Sequence, residues 1–69
     1  MAARLIEQSG LKGYRVGAAE VSKKHANFIV NTGGASAKDI QSLIEYIVKV
    51  INDKYQINLQ TEVVIIKNG

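Results

Sequence analysis

The polar residues between Leu11 and Asn31 are of the types that grip anions. The run LKGYRVGAAEVSKKHANFIVN places Lys12, Tyr14, Arg15, Lys23, Lys24, His25 and Asn27 within two short extended pieces. Near the end of the chain, Glu62 stands among apolar neighbours next to Val63. A small core has little use for so many specific polar groups, so the run and the glutamate read together as parts of a site. Lys12 beside Gly13 suits a phosphate, because the ammonium supplies charge while bare backbone lets the anion come close. His25 can donate to a phosphate or a sugar hydroxyl. Tyr14 can stack on a planar group. Glu62 opens an apolar strand, where a carboxylate is either exposed at the strand mouth or aimed into a cleft with a raised pKa.

Each of these residues also has a plain structural reading. Lys12 can be a solvated lysine, and Lys23 and Lys24 a solvated pair, as charge runs usually are. His25 can cap the start of a strand, and Tyr14 can simply pack its ring. On spacing alone these are the commoner outcomes, and both sets stay open. Some chemistry is excluded outright. The chain has no cysteine and one histidine, so a disulfide framework and any thiolate metal site are ruled out, a structural zinc is not expected, and the composition fits a reducing cytoplasm. No aspartate is placed by any motif to complete a nucleophilic triad with His25. Gly33-Gly34-Ala35-Ser36 precedes a helix, but it lacks a Walker lysine and dinucleotide-type glycine spacing, so it reads as a loop.

The elements that must position these groups follow from pattern. The chain has 69 residues, one domain at most, with a net charge of +3 that falls well short of a dedicated nucleic-acid binder. No apolar run is long enough to span a bilayer and no signal peptide is present. Ala2 to Ser9 reads as a short helix stopped by Gly10. Gly13 to Val21 reads as one extended segment whose small residues leave a shallow surface open to a ligand or another backbone. Asn27 to Asn31 is a second strand. A long helix follows, N-capped by Ser36 with Asp39 in its first turn. Its apolar stripe is Ile40, Leu43, Ile44, Ile47, Val48 and Ile51. Glu45 and Lys49 are spaced as an i,i+4 pair on its outer side. Gln60 to Lys67 is the last strand. The expected fold is α+β, a two-layer α-β-β-α-β domain with helices on one face of a small, mostly antiparallel sheet.

Three stretches carry a family resemblance. Leu5 to Gly17 (LIEQSGLKGYRVG), Val21 to Asn31 (VSKKHANFIVN) and Thr61-Glu62-Val63 together resemble the C-terminal domain of the UDP-N-acetylenolpyruvoylglucosamine reductases, also called UDP-N-acetylmuramate dehydrogenases. The resemblance covers nearly the whole chain in order and spacing. It implies the substrate-binding domain of an enzyme of peptidoglycan synthesis. In that enzyme NADPH reduces a bound FAD, and the flavin passes hydride to the enolpyruvyl group of UDP-N-acetylglucosamine enolpyruvate. By the same resemblance, Lys12 corresponds to a lysine that contacts the nucleotide diphosphate. His25 falls at a polar substrate-contacting position, and Glu62 matches an active-site glutamate beside the enol-type intermediate. Val64 departs from the family, which usually carries a basic residue there. The FAD-binding segments and the family's proton-donating serine motif are not in this sequence; Ser9, Ser22, Ser36 and Ser42 do not match it.

The resemblance therefore implies a cytoplasmic domain whose partners are the upstream FAD-binding domains and the UDP-sugar, with neither nucleic acid nor membrane. The 69 residues alone are expected to bind no cofactor and to be inactive. Two rivals come from other classes: a freestanding small basic interaction or nucleic-acid-binding module, and a domain that self-associates through a surface its partners would cover.

Overall fold

A computed structural model of the chain describes residues 2–59 and the strand at 64–66. The first helix, α1 (Ala2–Gln8), is built on alanine and leucine and buries Ala2, Leu5 and Ile6. Gly10, at φ 73°, ends it. The Gly10 N–H donates to the Glu7 carbonyl and the Leu11 N–H to the Ile6 carbonyl, the paired bonds of a Schellman stop. The chain then turns directly into the sheet with Leu11 buried.

Gly13–Val21, expected as one extended segment, is a hairpin. It consists of β1 (Arg15–Val16) and β2 (Ala19–Val21), with Arg15 opposite Glu20 and Val16 opposite Ala19. The physical reason is Gly17, whose φ of 57° lets a two-residue loop reverse the chain. The third strand, β3 (Phe28–Asn31), pairs antiparallel with β2, placing Val21 opposite Ile29. The last strand, β4 (Val64–Ile66), pairs parallel with β3, placing Val64 opposite Phe28. The sheet order is β1-β2-β3-β4. Two of its three pairings are antiparallel, and the parallel one is made possible by the helix that crosses over between β3 and β4. The ends of the expected Gln60–Lys67 strand lie outside the described residues.

That helix is α2 (Ala37–Tyr55). Ser36 caps it as expected and forms a full capping box. The Asp39 N–H donates to Ser36 Oγ at 3.0 Å, and the Ser36 N–H donates to Asp39 Oδ2 at 3.2 Å. Leu43, Ile47 and Ile51 are fully buried, with Ile40 and Ile44 packed at the margin. They meet Ala19, Val21 and Ile29 from the sheet, Leu5 and Ile6 from α1, and Leu59 from the chain beyond α2. This is the two-layer α+β arrangement expected, with no polar side chain buried among the described residues. The outer charges differ from expectation. Lys49 reaches forward to Asp53 Oδ2 at 2.7 Å, while Glu45 accepts from Gln41 Nε2 at 3.2 Å, so Glu45 and Lys49 each have another partner one turn away.

Candidate functional site

The backbone pairing gathers several of the nominated residues at one end of the sheet. The Gly13 N–H donates to the Val21 carbonyl at 2.8 Å, and the Val21 N–H donates to the Tyr14 carbonyl at 2.9 Å. The Ser22 N–H donates to the Phe28 carbonyl at 2.9 Å. Gly13, Val21–Ser22 and Phe28 thus form one row across the sheet. Lys12 stands just outside that row on the first segment, and Lys23, Lys24 and His25 stand outside it on the β2–β3 connection. The chain enters β4 beside Phe28, at the same end. Glu62 precedes that entry and lies outside the described residues.

Lys12 is exposed and only loosely held, its Nζ 3.7 Å from a Glu7 carboxylate oxygen. A pair this open to water and this long contributes little to stability, so the ammonium can leave it for an anion. Next to it, Gly13 has a φ of 82° and is roofed by the stem of Lys23. A Cβ at position 13 would come within 3.3 Å of Lys23 Cε, a flexible stem that can give way, so it is the backbone conformation that requires glycine there. The roof brings the Lys23 stem onto the residue adjoining Lys12. Among the described residues, Lys23 and Lys24 make no ion pair, and both are exposed.

His25 is exposed on the β2–β3 connection. Its backbone N–H donates to Ser22 Oγ at 3.0 Å, and its ring stands 5.2 Å from the Phe28 ring, tilted by 50°. Its carbonyl accepts from the Phe28 N–H and so caps the start of β3, as the plain structural reading has it, while its ring stays out of the core. Ala26 beside it is buried and pins the loop to the core.

Tyr14 is placed differently. Its ring stacks on Tyr46 of α2, with centroids 4.6 Å apart and planes 12° from parallel. Both residues are 40% exposed, and the stack covers one face of the Tyr14 ring. Partial desolvation, helped by the Tyr46 phenol, holds the Tyr14 hydroxyl above its ordinary pKa. The stack ties the Lys12–Gly13 segment to the middle of the long helix. Tyr46 falls off the apolar stripe of α2, so periodicity alone passes over it. The signal that could have found it is a large aromatic on the polar side of an amphipathic helix.

The other polar groups of the run serve the fold. Arg15 Nη2 donates to Thr32 Oγ1 at 2.7 Å, and its Nε is 3.8 Å from Glu20. Asn31 Oδ1 accepts from the Gly33 and Ala35 N–H groups and shapes the loop into α2. That loop does not cradle phosphate. The α2 N-terminus is closed by Ser36 and carries the Asp39 carboxylate, which abuts Gly17 and would repel an anion. A groove along the outer side of α2, lined by Ile44, Val48, Lys49 and Asn52, touches none of the nominated residues among those described. No group of acidic and histidine side chains among the described residues could hold a metal ion.

Residues 1–66 match the family described as UDP-N-acetylenolpyruvoylglucosamine reductase, C-terminal domain. The chain belongs to this family. Among its relatives is the UDP-N-acetylenolpyruvoylglucosamine reductase of Anoxybacillus flavithermus, 58% identical over 65 residues, which are 94% of this chain and 22% of that protein. The reductase of the same name from Bacillus subtilis is 55% identical over the same shares. That of a Thermotoga species is 53% identical over 66 residues, 96% of this chain and 22% of the relative. The chain thus spans about a fifth of the length of these reductases. Within the reductase C-terminal domain, the stretches LKGYRVG and KHANFIVN are the segments that flank the sheet end described above.

Proposed function

We propose that this chain is the substrate-binding domain of a reductase that converts UDP-N-acetylglucosamine enolpyruvate to UDP-N-acetylmuramate in the cytoplasm. The observation that carries the reading is the family match over residues 1–66, together with the convergence of Lys12, Lys23 and His25 on one sheet end. In this reading Lys12 pairs with the diphosphate, and His25 donates to a phosphate or sugar oxygen. Tyr14, with one face covered by Tyr46, offers its hydroxyl and edge to the substrate rather than a stacking face. Glu62 stands by the enolpyruvyl group as the catalytic carboxyl.

The FAD and NADPH of the complete enzyme would be held by the FAD-binding domains upstream. The glycine-rich loop before α2 ends in an anion-repelling capping box, which speaks against it as a phosphate cradle. The domain's part is therefore to grip the nucleotide sugar and place its reacting end. The 69 residues by themselves are expected to bind UDP-sugar weakly and to be inactive.

The test is transient kinetics on the complete reductase carrying Glu62→Gln. Reduction of the flavin by NADPH should stay near the parent rate, while reoxidation by the UDP-sugar should slow by about a hundredfold or more, as when a preorganised transition-state partner is lost. Reoxidation at the parent rate would end the role given to Glu62.

A further inference from the structure

The β2–β3 connection is held by one hydroxyl. Ser22 Oγ accepts two backbone N–H groups, from Lys24 at 3.1 Å and from His25 at 3.0 Å. Around it, the Ser22 N–H donates to the Phe28 carbonyl and the Phe28 N–H to the His25 carbonyl. A serine oxygen has two lone pairs, and both are engaged by amides of the residues that bear the charged side chains. The turn has two consequences for those side chains. It folds the Lys23 stem back over Gly13, against the residue next to Lys12. It also sets the His25 ring beside Phe28 at 5.2 Å, which limits the directions the imidazole can take.

We propose that Ser22 is a positioning residue of the nucleotide-sugar site. Its hydroxyl fixes the 22–28 loop in the form that presents Lys23 and His25, alongside Lys12, to a diphosphate. The inference rests on the proposed function of the domain and names Lys23 as a second cation of the same site. The physical argument is preorganisation. Lys23, Lys24 and His25 are all exposed, so water can satisfy the two amides when the hydroxyl is gone. The fold loses little, because Ala26 and the ladder still anchor the loop. What is lost is the single loop conformation, and the ligand must then supply its ordering on binding.

This predicts a split that a merely structural serine would not give. In the complete reductase, Ser22→Ala should raise KM for the UDP-sugar about three- to tenfold, the worth of one or two neutral hydrogen bonds. The kcat and the rate of flavin reduction by NADPH should hold. Ser22→Thr, which keeps the accepting hydroxyl, should restore KM to within about twofold of the parent. In the 69-residue chain, the Lys24 and His25 amides should lose hydrogen-exchange protection in Ser22→Ala and keep it in Ser22→Thr. If Ser22→Ala does not fold, Ser22→Cys, similar in size but a weak acceptor, replaces it with the same outcomes. Lys12→Ala and His25→Ala separate the two layers of the reading. If they raise KM and Ser22→Ala does not, the inference about Ser22 is overturned and the site stands. If neither raises KM, the site itself is wrong, and Ser22 falls with it.

Discussion

The two ends of the sheet are built from similar polar residues but use them in opposite ways. At the hairpin end, Arg15, Asn31, Thr32, Ser36 and Asp39 are turned onto the backbone or a neighbour. Thr32 Oγ1 donates to the Ala18 carbonyl and accepts from Arg15; Asn31 holds Gly33 and Ala35; Ser36 and Asp39 close the helix on each other. At the other end, Ser22 satisfies backbone amides, while Lys23, Lys24 and His25 keep their charged or titratable heads in solvent, and Lys12 has only a loose partner. The first end consumes its polar groups to hold the fold. The second fixes a backbone and leaves the side-chain groups free for a ligand. The contrast teaches that a site is marked less by its residue types than by which of their donors remain unspent.

The sharpest way to break the comparison is at the hairpin turn. Gly17→Ala must adopt a positive φ and push the Asp39 carboxylate out of the capping box. The two effects together should destabilise the domain by about 2 kcal/mol, read as a lowered thermal midpoint. A loss below about 0.5 kcal/mol would mean that this end is not locked as described. Next in size, Ser36→Ala should cost about 1 kcal/mol by removing the cap. Its counterpart at the other end, Lys24→Ala, should stay within about 0.5 kcal/mol of the parent by denaturant unfolding. Equal losses in the two variants would erase the distinction between the ends.

The smallest expected effect concerns the tyrosine stack. The Tyr14 hydroxyl titrates above its ordinary value in the folded chain, so the neutral form is the one the fold favours. Its contribution is full below the unfolded tyrosine pKa of about 10 and is lost as pH rises through the higher folded value. Tyrosinate absorbance should therefore show one group ionising late, and Tyr46→Phe should move that group back toward the ordinary range. A late group that persists in Tyr46→Phe would assign the shift to desolvation alone.

Much of the fold was legible in the residues. The α2 stripe at Leu43, Ile47 and Ile51, the Ser36 cap and the Gly10 stop are local signals, each satisfied within a few residues of where it is read. The hairpin was not read because Arg15-Val16 and Ala19–Val21 are too short to show a period, and Gly17 alone does not announce a reversal. Of the site, Lys12 and His25 were legible as anion-binding types. Their companionship with Lys23 was not, since it depends on a stem crossing to Gly13 from the β2–β3 connection.

By itself, then, the sequence determined the helices, the strand at Phe28–Asn31 and the absence of cysteine chemistry. These rest on side-chain chemistry and on interactions between near neighbours in the chain. Only the tertiary structure decided which polar groups are spent. The pairing of β1, β2 and β3 carries Gly13, Ser22 and Phe28 to one row and Gly17, Thr32 and Asp39 to the other end. It also turns Tyr14 onto Tyr46, a contact between residues far apart in the chain. Such partnerships are set by strand register and helix docking, and neither is encoded at the residues that meet.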